Sequence, residues 1–382
     1  MTDPLIERGG LQALRTLNRI AVLNCLRDSG RELTVTDLHR STTLSRPTVK
    51  LALGDLLRDG LIVSPEELGG TTLRGGRPAR RYTYNAHSGY VVGVVIGMQR
   101  IEVALADMTG TIVARQEVPA ASGIERRSQL HVALLKIIEK TGLQLGCVRS
   151  MTIGTLGIVT PNGVAMRNET VPELSQEGYF ESLRSDLPFP VAIENDANLA
   201  AAAEFAARSA IEVTDMVGLH VNTAIGSGVV LDSKLYRGAN GAAGEMGFDQ
   251  RMGWDKSHEV LVQAADDHNV SVRALFRLAG EGAAWASDCV EQFADAVAPG
   301  VIALLLTLDP PLMVIGGDVC LAENVFGSRL IQALEVVLPV VPAISFSTLG
   351  RDCVLLGAIQ RSLDEAHQNQ TNQEISERPD LR

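Results

Sequence analysis

Tyr90-Val91-Val92-Gly93-Val94-Val95-Ile96 is a nearly unbroken apolar run, as expected of a strand buried on both faces, and it passes through Gly97 into a second strand-like stretch, Ile101 to Asp107. A Thr109-Gly110 turn returns the chain into Ile112-Val113-Ala114. The plan recurs downstream, where Met216 to Val221, Thr223 to Gly228, Val229 to Asp232 and Leu235-Tyr236 read as strands separated by turns, and each set is followed by a helical stretch. The repetition predicts a duplicated α/β domain whose two βββα-type halves face one another. Between such halves lies a natural cleft for a small ligand.

Upstream of Tyr90 the pattern changes to that of a small helical unit. Leu11 to Leu26 has helical spacing, with Leu14, Leu17, Ala21 and Cys25 along one face, Val22 and Leu26 beside it, and Ser29-Gly30 as the stop. Thr34 and Asp37 are spaced as a capping box for a short second helix. After the turn Thr42-Thr43-Leu44, Ser45 reads as an N-cap, Pro47 suits the first turn, and Val49, Leu53, Leu56 and Leu57 give the buried stripe. This is a helix-turn-helix. Ser45, Arg46, Thr48 and Lys50 occupy the end of the last helix that enters a major groove in this geometry, and Arg46 is the main candidate for a base contact.

Next come Leu61-Ile62-Val63, a Gly-rich loop and the alternating strand Arg81 to Tyr84, together a β-hairpin wing. The loop carries Arg74, Arg77, Arg80 and Arg81 with no acid among them. Such a strip suits a phosphate backbone, and Arg77 suits a narrow minor groove.

Charge divides the chain at the same place. The whole of its 382 residues carries −11, but residues 1–86 hold 13 Lys+Arg against 9 Asp+Glu, or +4, which leaves −15 on the remainder. A basic reader joined to an acidic body is predicted. Hydrophobic residues at 46% and charged residues at 21% exclude global disorder. No apolar run approaches the roughly 20 residues that a bilayer requires, so no membrane partner is expected. The opening Met-Thr-Asp-Pro-Leu-Ile-Glu lacks a signal-peptide pattern, and a cytoplasmic location is the expectation. Cys25, Cys147, Cys289, Cys320 and Cys353 are far apart and form no C-x-x-C pair, which argues against a disulfide framework or a cysteine zinc site.

Five blocks carry a resemblance: the winged helix, Ile153-Gly154-Thr155-Leu156-Gly157-Ile158, Glu194-Asn195-Asp196-Ala197-Asn198, Leu235 to Gly247 with its Gly-Ala-Asn-Gly-Ala-Ala-Gly-Glu core, and Ile315-Gly316-Gly317. Over about residues 11–362 the chain resembles the ROK family of repressors, open reading frames and sugar kinases. The resemblance implies an actin/hexokinase-like (ribonuclease H-like) duplicated α/β fold behind the N-terminal winged helix-turn-helix. An N-terminal DNA-binding unit implies a place among the family's transcriptional repressors.

The resemblance also shows what has changed. Family kinases open the first phosphate loop with Asp-x-Gly-Gly-Thr, whereas here the stretch is Val95-Ile96-Gly97-Met98-Gln99. The second loop, Gly-Thr-Gly-Ile-Gly in kinases, reads Asn222-Thr223-Ala224-Ile225-Gly226. Asp196 stands where the family's catalytic base stands. A general base contributes about 10² to 10⁴ in rate, while positioning the second reactant contributes roughly 7 to 11 kcal/mol. A retained base therefore does not replace lost nucleotide positioning, and Asp196 reads as a hydrogen-bonding partner for a ligand hydroxyl. A plain helix-capping Asp is its rival reading.

Asn195, Asp196, Glu245, Phe248 and Glu259 are the candidate effector residues, with Phe248 where the family has His and Glu259 where a second Glu is expected. The family's Cys-x-Cys-Gly-x-x-Gly-Cys zinc loop corresponds to Asp249–Ser257, which has no cysteine, so neither a metal nor a cofactor is expected.

The expected organisation is a winged helix-turn-helix at 1–86, a two-lobed effector-binding and dimerisation domain at 87–364, and a disordered tail at 365–382. The expected function is a repressor of carbohydrate-related genes that binds a double-stranded operator, responds to a small carbohydrate or sugar phosphate, and works as a dimer or a dimer of dimers. The alternatives are a sugar kinase with an accessory DNA-binding domain and a regulator with a vestigial sugar pocket.

Overall fold

A computed structural model describes residues 4–65, 79–121, 124–167, 171–176, 178–208, 212–222 and 224–376. The first unit runs α1 (Pro4–Ser29), β1 (Leu33–Thr34), α2 (Val35–Thr42), α3 (Arg46–Arg58), β2 (Ile62–Val63) and β3 (Arg81–Tyr84), with β3 between β1 and β2 in an antiparallel sheet. Local chemistry sets both helix starts. The Asp37 amide donates to Thr34 Oγ1 at 3.2 Å while the Thr34 amide donates to the Asp37 carboxylate at 2.9 Å, the capping box expected for α2. At α3 the Ser45 hydroxyl accepts from the Thr48 amide at 3.3 Å, and Pro47 sits in the first turn.

The buried face of α1 differs from the one expected. Leu14 and Leu17 are each 55% exposed; Val22 and Leu26 are buried as expected, and Thr16, Arg19 and Leu23 join them in place of the two leucines. Arg15 and Arg19 pair with Asp55 and Asp59, both at 2.6 Å, and these two ion pairs, one helical turn apart, fix the rotation of α1 against α3.

The body begins with β4 (Tyr90–Ile96), β5 (Arg100–Asp107), β6 (Ile112–Pro119), α4 (Ile124–Thr141), β7 (Val148–Thr155), a small hairpin of β8 (Ile158–Val159) and β9 (Ala165–Arg167), α5 (Tyr179–Ser185), β10 (Val191–Asn195) and α6 (Asp196–Ala207). The second lobe continues with β11 (Met216–Val221), β12 (Ile225–Leu231), β13 (Lys234–Tyr236), α7 (Trp254–Asp267), α8 (Val272–Gly280), α9 (Ala284–Leu308), β14 (Leu312–Gly317), α10 (Glu323–Val337), β15 (Ala343–Phe346) and α11 (Cys353–Ser376).

The sheet orders are β10-β7-β4-β5-β6 and β13-β12-β11-β14-β15. In each, three antiparallel strands are extended by two parallel ones, so the predicted duplication is a duplication of topology. Thr223–Gly228 and Val229–Asp232 are not two strands; the described part forms the single strand β12. Gly228 there serves the approach of α6, since a Cβ would lie 2.6 Å from that of Ala201. Among the described residues α9 is long and apolar enough to cross a membrane by length and composition, but Val290, Phe293, Val297 and Val301 on it are buried in the core of the second lobe.

The tail expected from residue 365 is helical as far as Ser376, and residues 377–382 lie outside the described residues. Ala366 of that tail is buried and continues the buried stripe of Ile359 and Leu363 that precedes it on the same helix. These residues join Val22, Leu38 and Leu53 of the winged helix and Val91, Ala104 and Met108 of the first lobe in one core. Residue 86 therefore marks a change of topology rather than a gap in packing.

Candidate functional site

Two separate constellations carry chemistry. On the first unit, Arg46 and Lys50 are exposed on α3, opposite the buried Val49, Leu53 and Leu56. Thr48 is directed elsewhere, its hydroxyl lying 2.7 Å from that of Ser45, so Ser45 and Thr48 are occupied in building the helix start. Arg74 and Arg77 fall outside the described residues. Arg80 folds back at the base of the wing, where its Nε donates to Ser64 Oγ at 3.2 Å and its guanidinium lies 5.4 Å from the centre of the Tyr82 ring. Arg81 is exposed and 3.9 Å from Glu32.

The second constellation forms where β7, the start of α6 and the loop after β13 meet. Asn195 caps α6, its side-chain oxygen accepting from the Asn198 amide at 2.9 Å. Its Nδ2 donates to Gly157 O at 3.0 Å and reaches Glu245 Oε1 at 3.4 Å. Three of the five sequence blocks thus converge on one side chain.

The cap being Asn195, the reading of Asp196 as a capping Asp is corrected: Asp196 is the first helical residue, and its carboxylate accepts from the Ala197 amide at 2.9 Å. Among the described residues neither Asp196 nor Glu245 has an ion-pair partner. Burial pushes the Asp196 carboxyl up to about 6, and burial together with the Asp196 charge pushes Glu245 up to about 7. Two partly buried carboxyls close enough for their charges to interact suit a ligand with adjacent hydroxyl donors.

Their stability consequence has a definite sign. A carboxyl whose pKa is raised by folding contributes stability below its unfolded value near 4 and loses it as pH rises through the folded value. The unliganded protein is therefore expected to weaken between about pH 4 and pH 7. Asp196→Asn should remove part of that slope and stabilise the protein at pH 8 by up to about 3 kcal/mol, because each tenfold change in proton affinity is worth roughly 1.4 kcal/mol. Thermal midpoints of both proteins at pH 5 and pH 8 check this; an unchanged difference between the two pH values refutes it.

Beneath the site lies a carboxylate whose role the sequence reading missed. Glu194 is 1% exposed, and its Oε2 accepts from Arg237 Nε at 2.6 Å and lies 3.8 Å from Arg361. Its Oε1 accepts from the Asn195 amide at 3.1 Å and from Asn198 Nδ2 at 3.2 Å. An acid in one block and Arg237 in another were the available signal. Glu259 is corrected: it is exposed on α7, and among the described residues no hydrogen bond or ion pair joins it to this constellation. Phe248 is 41% exposed, just after Glu245.

Comparison with known proteins gives a family profile, described as the ROK family, that matches residues 91–258 and 250–359. The chain belongs to the ROK family. An IclR helix-turn-helix profile matches residues 18–65, the span of α1 to β2. The xylose repressor of Caldicellulosiruptor bescii is 26% identical over 63% of this chain and 60% of its own length, so the chain spans less than two thirds of that relative. The N-acetylmannosamine kinase of Salmonella arizonae is 29% identical over 70% of this chain and 96% of its own length. A crystal structure of a ROK family transcriptional regulator, a homolog of the E. coli MLC protein, superposes with a TM-score of 0.70 at 18% identity, over 94% of this chain and 98% of the other. That likeness is one of fold and includes the winged helix.

On β4, Val95 is partly buried against neighbouring apolar side chains, and just after the strand Met98 projects into solvent. Asn222 is tied down: its Oδ1 accepts from the Asp318 amide at 2.8 Å and its Nδ2 lies 2.9 Å from the buried His220. The segment 249–257 is anchored by the buried Trp254, whose indole donates to Val297 O at 3.1 Å. Among the described residues no three His, Cys, Asp or Glu side chains converge to hold a metal ion.

Proposed function

We propose that the protein is a transcriptional repressor of carbohydrate-related genes, and that a sugar or sugar phosphate bound at Asn195, Asp196 and Glu245 sets its affinity for operator DNA. One conjunction carries this reading. A helix-turn-helix with an outward basic face is built into the same core as a cleft that keeps hydroxyl-binding carboxyls but has Val95 in place of the acid that begins the kinase phosphate loop.

The body offers a route between the two sites. Helix α11 packs against α6 so closely that a Cβ on Gly357 would come within 2.1 Å of the Leu199 carbonyl oxygen. One turn further on Arg361 faces Glu194, and beyond it Leu363, Ala366 and His367 reach the winged helix, with His367 Nε2 3.5 Å from the Tyr84 hydroxyl. A ligand that shifts α6 therefore acts on the DNA-binding unit through one rigid helix. The coupling required is about 1 to 3 kcal/mol. In a cytoplasmic C2 dimer the two recognition helices would meet half-sites about 34 Å apart or a multiple of that.

Arg46→Ala is expected to weaken binding to the cognate duplex by roughly 1 to 3 kcal/mol and to relax preference at one base pair. Competition binding against cognate and random DNA checks it; an equal loss on both reduces Arg46 to a phosphate contact. For the cleft, a monosaccharide or sugar phosphate at 100 times its dissociation constant should add about 2.7 kcal/mol of stability. No thermal shift from any such compound favours a vestigial pocket.

The retained Asp196 and the likeness to N-acetylmannosamine kinase favour one second reading, a kinase with a DNA-binding appendage. Sugar-dependent ATP turnover that disappears in Asp196→Asn would establish it and overturn the non-enzymatic part of this proposal.

A further inference from the structure

The outward face of α3 holds two residues with no role inside the protein. Pro47, Lys50, Leu51, Gly54 and Arg58 fall within an arc of about 100° at 3.6 residues per turn, directly opposite Val49, Ala52 and Leu56. Leu51 lies at one edge of that arc and is 52% exposed, with Lys50 at the other edge. Gly54 lies one turn from Lys50 inside an α-helix, where glycine is among the poorest formers.

Neither usual reason for a helical glycine applies at Gly54. It is not among the glycines with positive φ, and a Cβ built on it would meet nothing within 4 Å. Among the described residues its smallness serves no contact within the fold, so it serves whatever approaches the helix from outside. The glycine notch lies between Lys50 on one side and the apolar Leu51 on the other, with Arg46, a second exposed cation, beyond Lys50.

We propose that Leu51 and Gly54 belong to the DNA-reading surface: Leu51 packs on the C5-methyl group of a thymine in the major groove, and Gly54 lets the groove wall approach the helix backbone. The inference rests on the DNA-binding reading and adds a base preference to it. The occupant is double-stranded DNA because the surrounding charge is positive and the helix has a groove-entering geometry. A methyl group is what an apolar side chain can distinguish there.

The test uses the full-length chain and a duplex enriched by selection from a randomised pool. Each thymine in turn is replaced by deoxyuridine, which removes only the methyl group. The wild-type protein should lose about fourfold in affinity at one thymine of each half-site, the value of one buried methyl group. Leu51→Ala should bind the thymine and uracil duplexes equally at that position. Gly54→Ala should melt at or above the wild-type temperature and yet bind about tenfold or more weakly.

A flat uracil scan, or wild-type affinity in Gly54→Ala, overturns the inference while leaving DNA binding intact. A fall in dimer mass for Leu51→Ala would reassign the face to contact between copies of the chain and also overturns it. Failure to enrich any duplex removes the DNA reading itself, and this inference with it.

Discussion

Gly317→Ala is expected to unfold the second lobe, whereas Gly316→Ala beside it should be tolerated. Gly317 has φ 95° and ψ −165°, a region that only glycine occupies without strain. A Cβ there would lie 2.2 Å from the Val221 carbonyl oxygen, a backbone atom fixed by the pairing of β11 with β14. The strain alone costs about 1 to 3 kcal/mol, and the clash is relieved only by parting two central strands. A total beyond about 4 kcal/mol is expected, which few single substitutions reach. At Gly316 the nearest atom to an added Cβ is that of Ser347 at 3.5 Å, an ordinary contact.

That contrast bears on what the glycine pair is for. The fold itself requires Gly317, through its backbone conformation and its approach to the Val221 carbonyl. If both variants fold and melt as the wild type does, the packing explanation is wrong and a ligand role must be sought. Circular dichroism melts, with hydrogen exchange over β11 and β14, provide the measurement.

The parts of the molecule legible in its sequence are those set by short-range chemistry. Thr34 with Asp37, and Ser45 with Pro47, state where α2 and α3 begin because capping partners lie within three residues. Buried strands such as Tyr90–Ile96 announce themselves as apolar runs, and the two-fold recurrence of the plan follows from them. What stayed hidden depends on contacts far along the chain. Helix α1 carries apolar residues on both sides, and its orientation is decided by Asp55 and Asp59, each 40 residues from its arginine partner.

The difference between an N-cap and a first helical residue is a single position, so the exchange of roles between Asn195 and Asp196 could not be read from spacing. Glu259 was misplaced for a related reason: without the cysteines of the zinc loop no fixed point remained to count from. The length of α11 was missed because residues 367–374 are polar, and the buried stripe that anchors the helix, Leu355, Ile359, Leu363 and Ala366, packs against the winged helix and first lobe, contacts far away in sequence.

Glu194→Ala is expected to be the most damaging change at the cleft. Its carboxylate is buried and holds Arg237, with Arg361 at a longer distance, while its other oxygen receives the Asn195 amide and the Asn198 side chain. Removing it leaves the guanidinium of Arg237, 23% exposed, without its partner, and strands two N–H donors in the interior. Breaking a buried pair from one side costs about 3 to 5 kcal/mol. Glu194→Gln keeps an acceptor toward Asn195 and loses only charge, so a smaller loss is expected there. The functional consequence separates this residue from a merely structural acid, because Glu194 is where α6, the loop bearing Glu245 and α11 meet. Arg361→Gln is the milder probe: its guanidinium is 33% exposed and 3.8 Å from Glu194, so its stability should change little. If α11 transmits ligand binding, Arg361→Gln should retain sugar-induced thermal stabilisation while the sugar no longer changes affinity for the operator duplex. An undiminished response of DNA binding to the sugar in Arg361→Gln would mean that the signal leaves the cleft by another path.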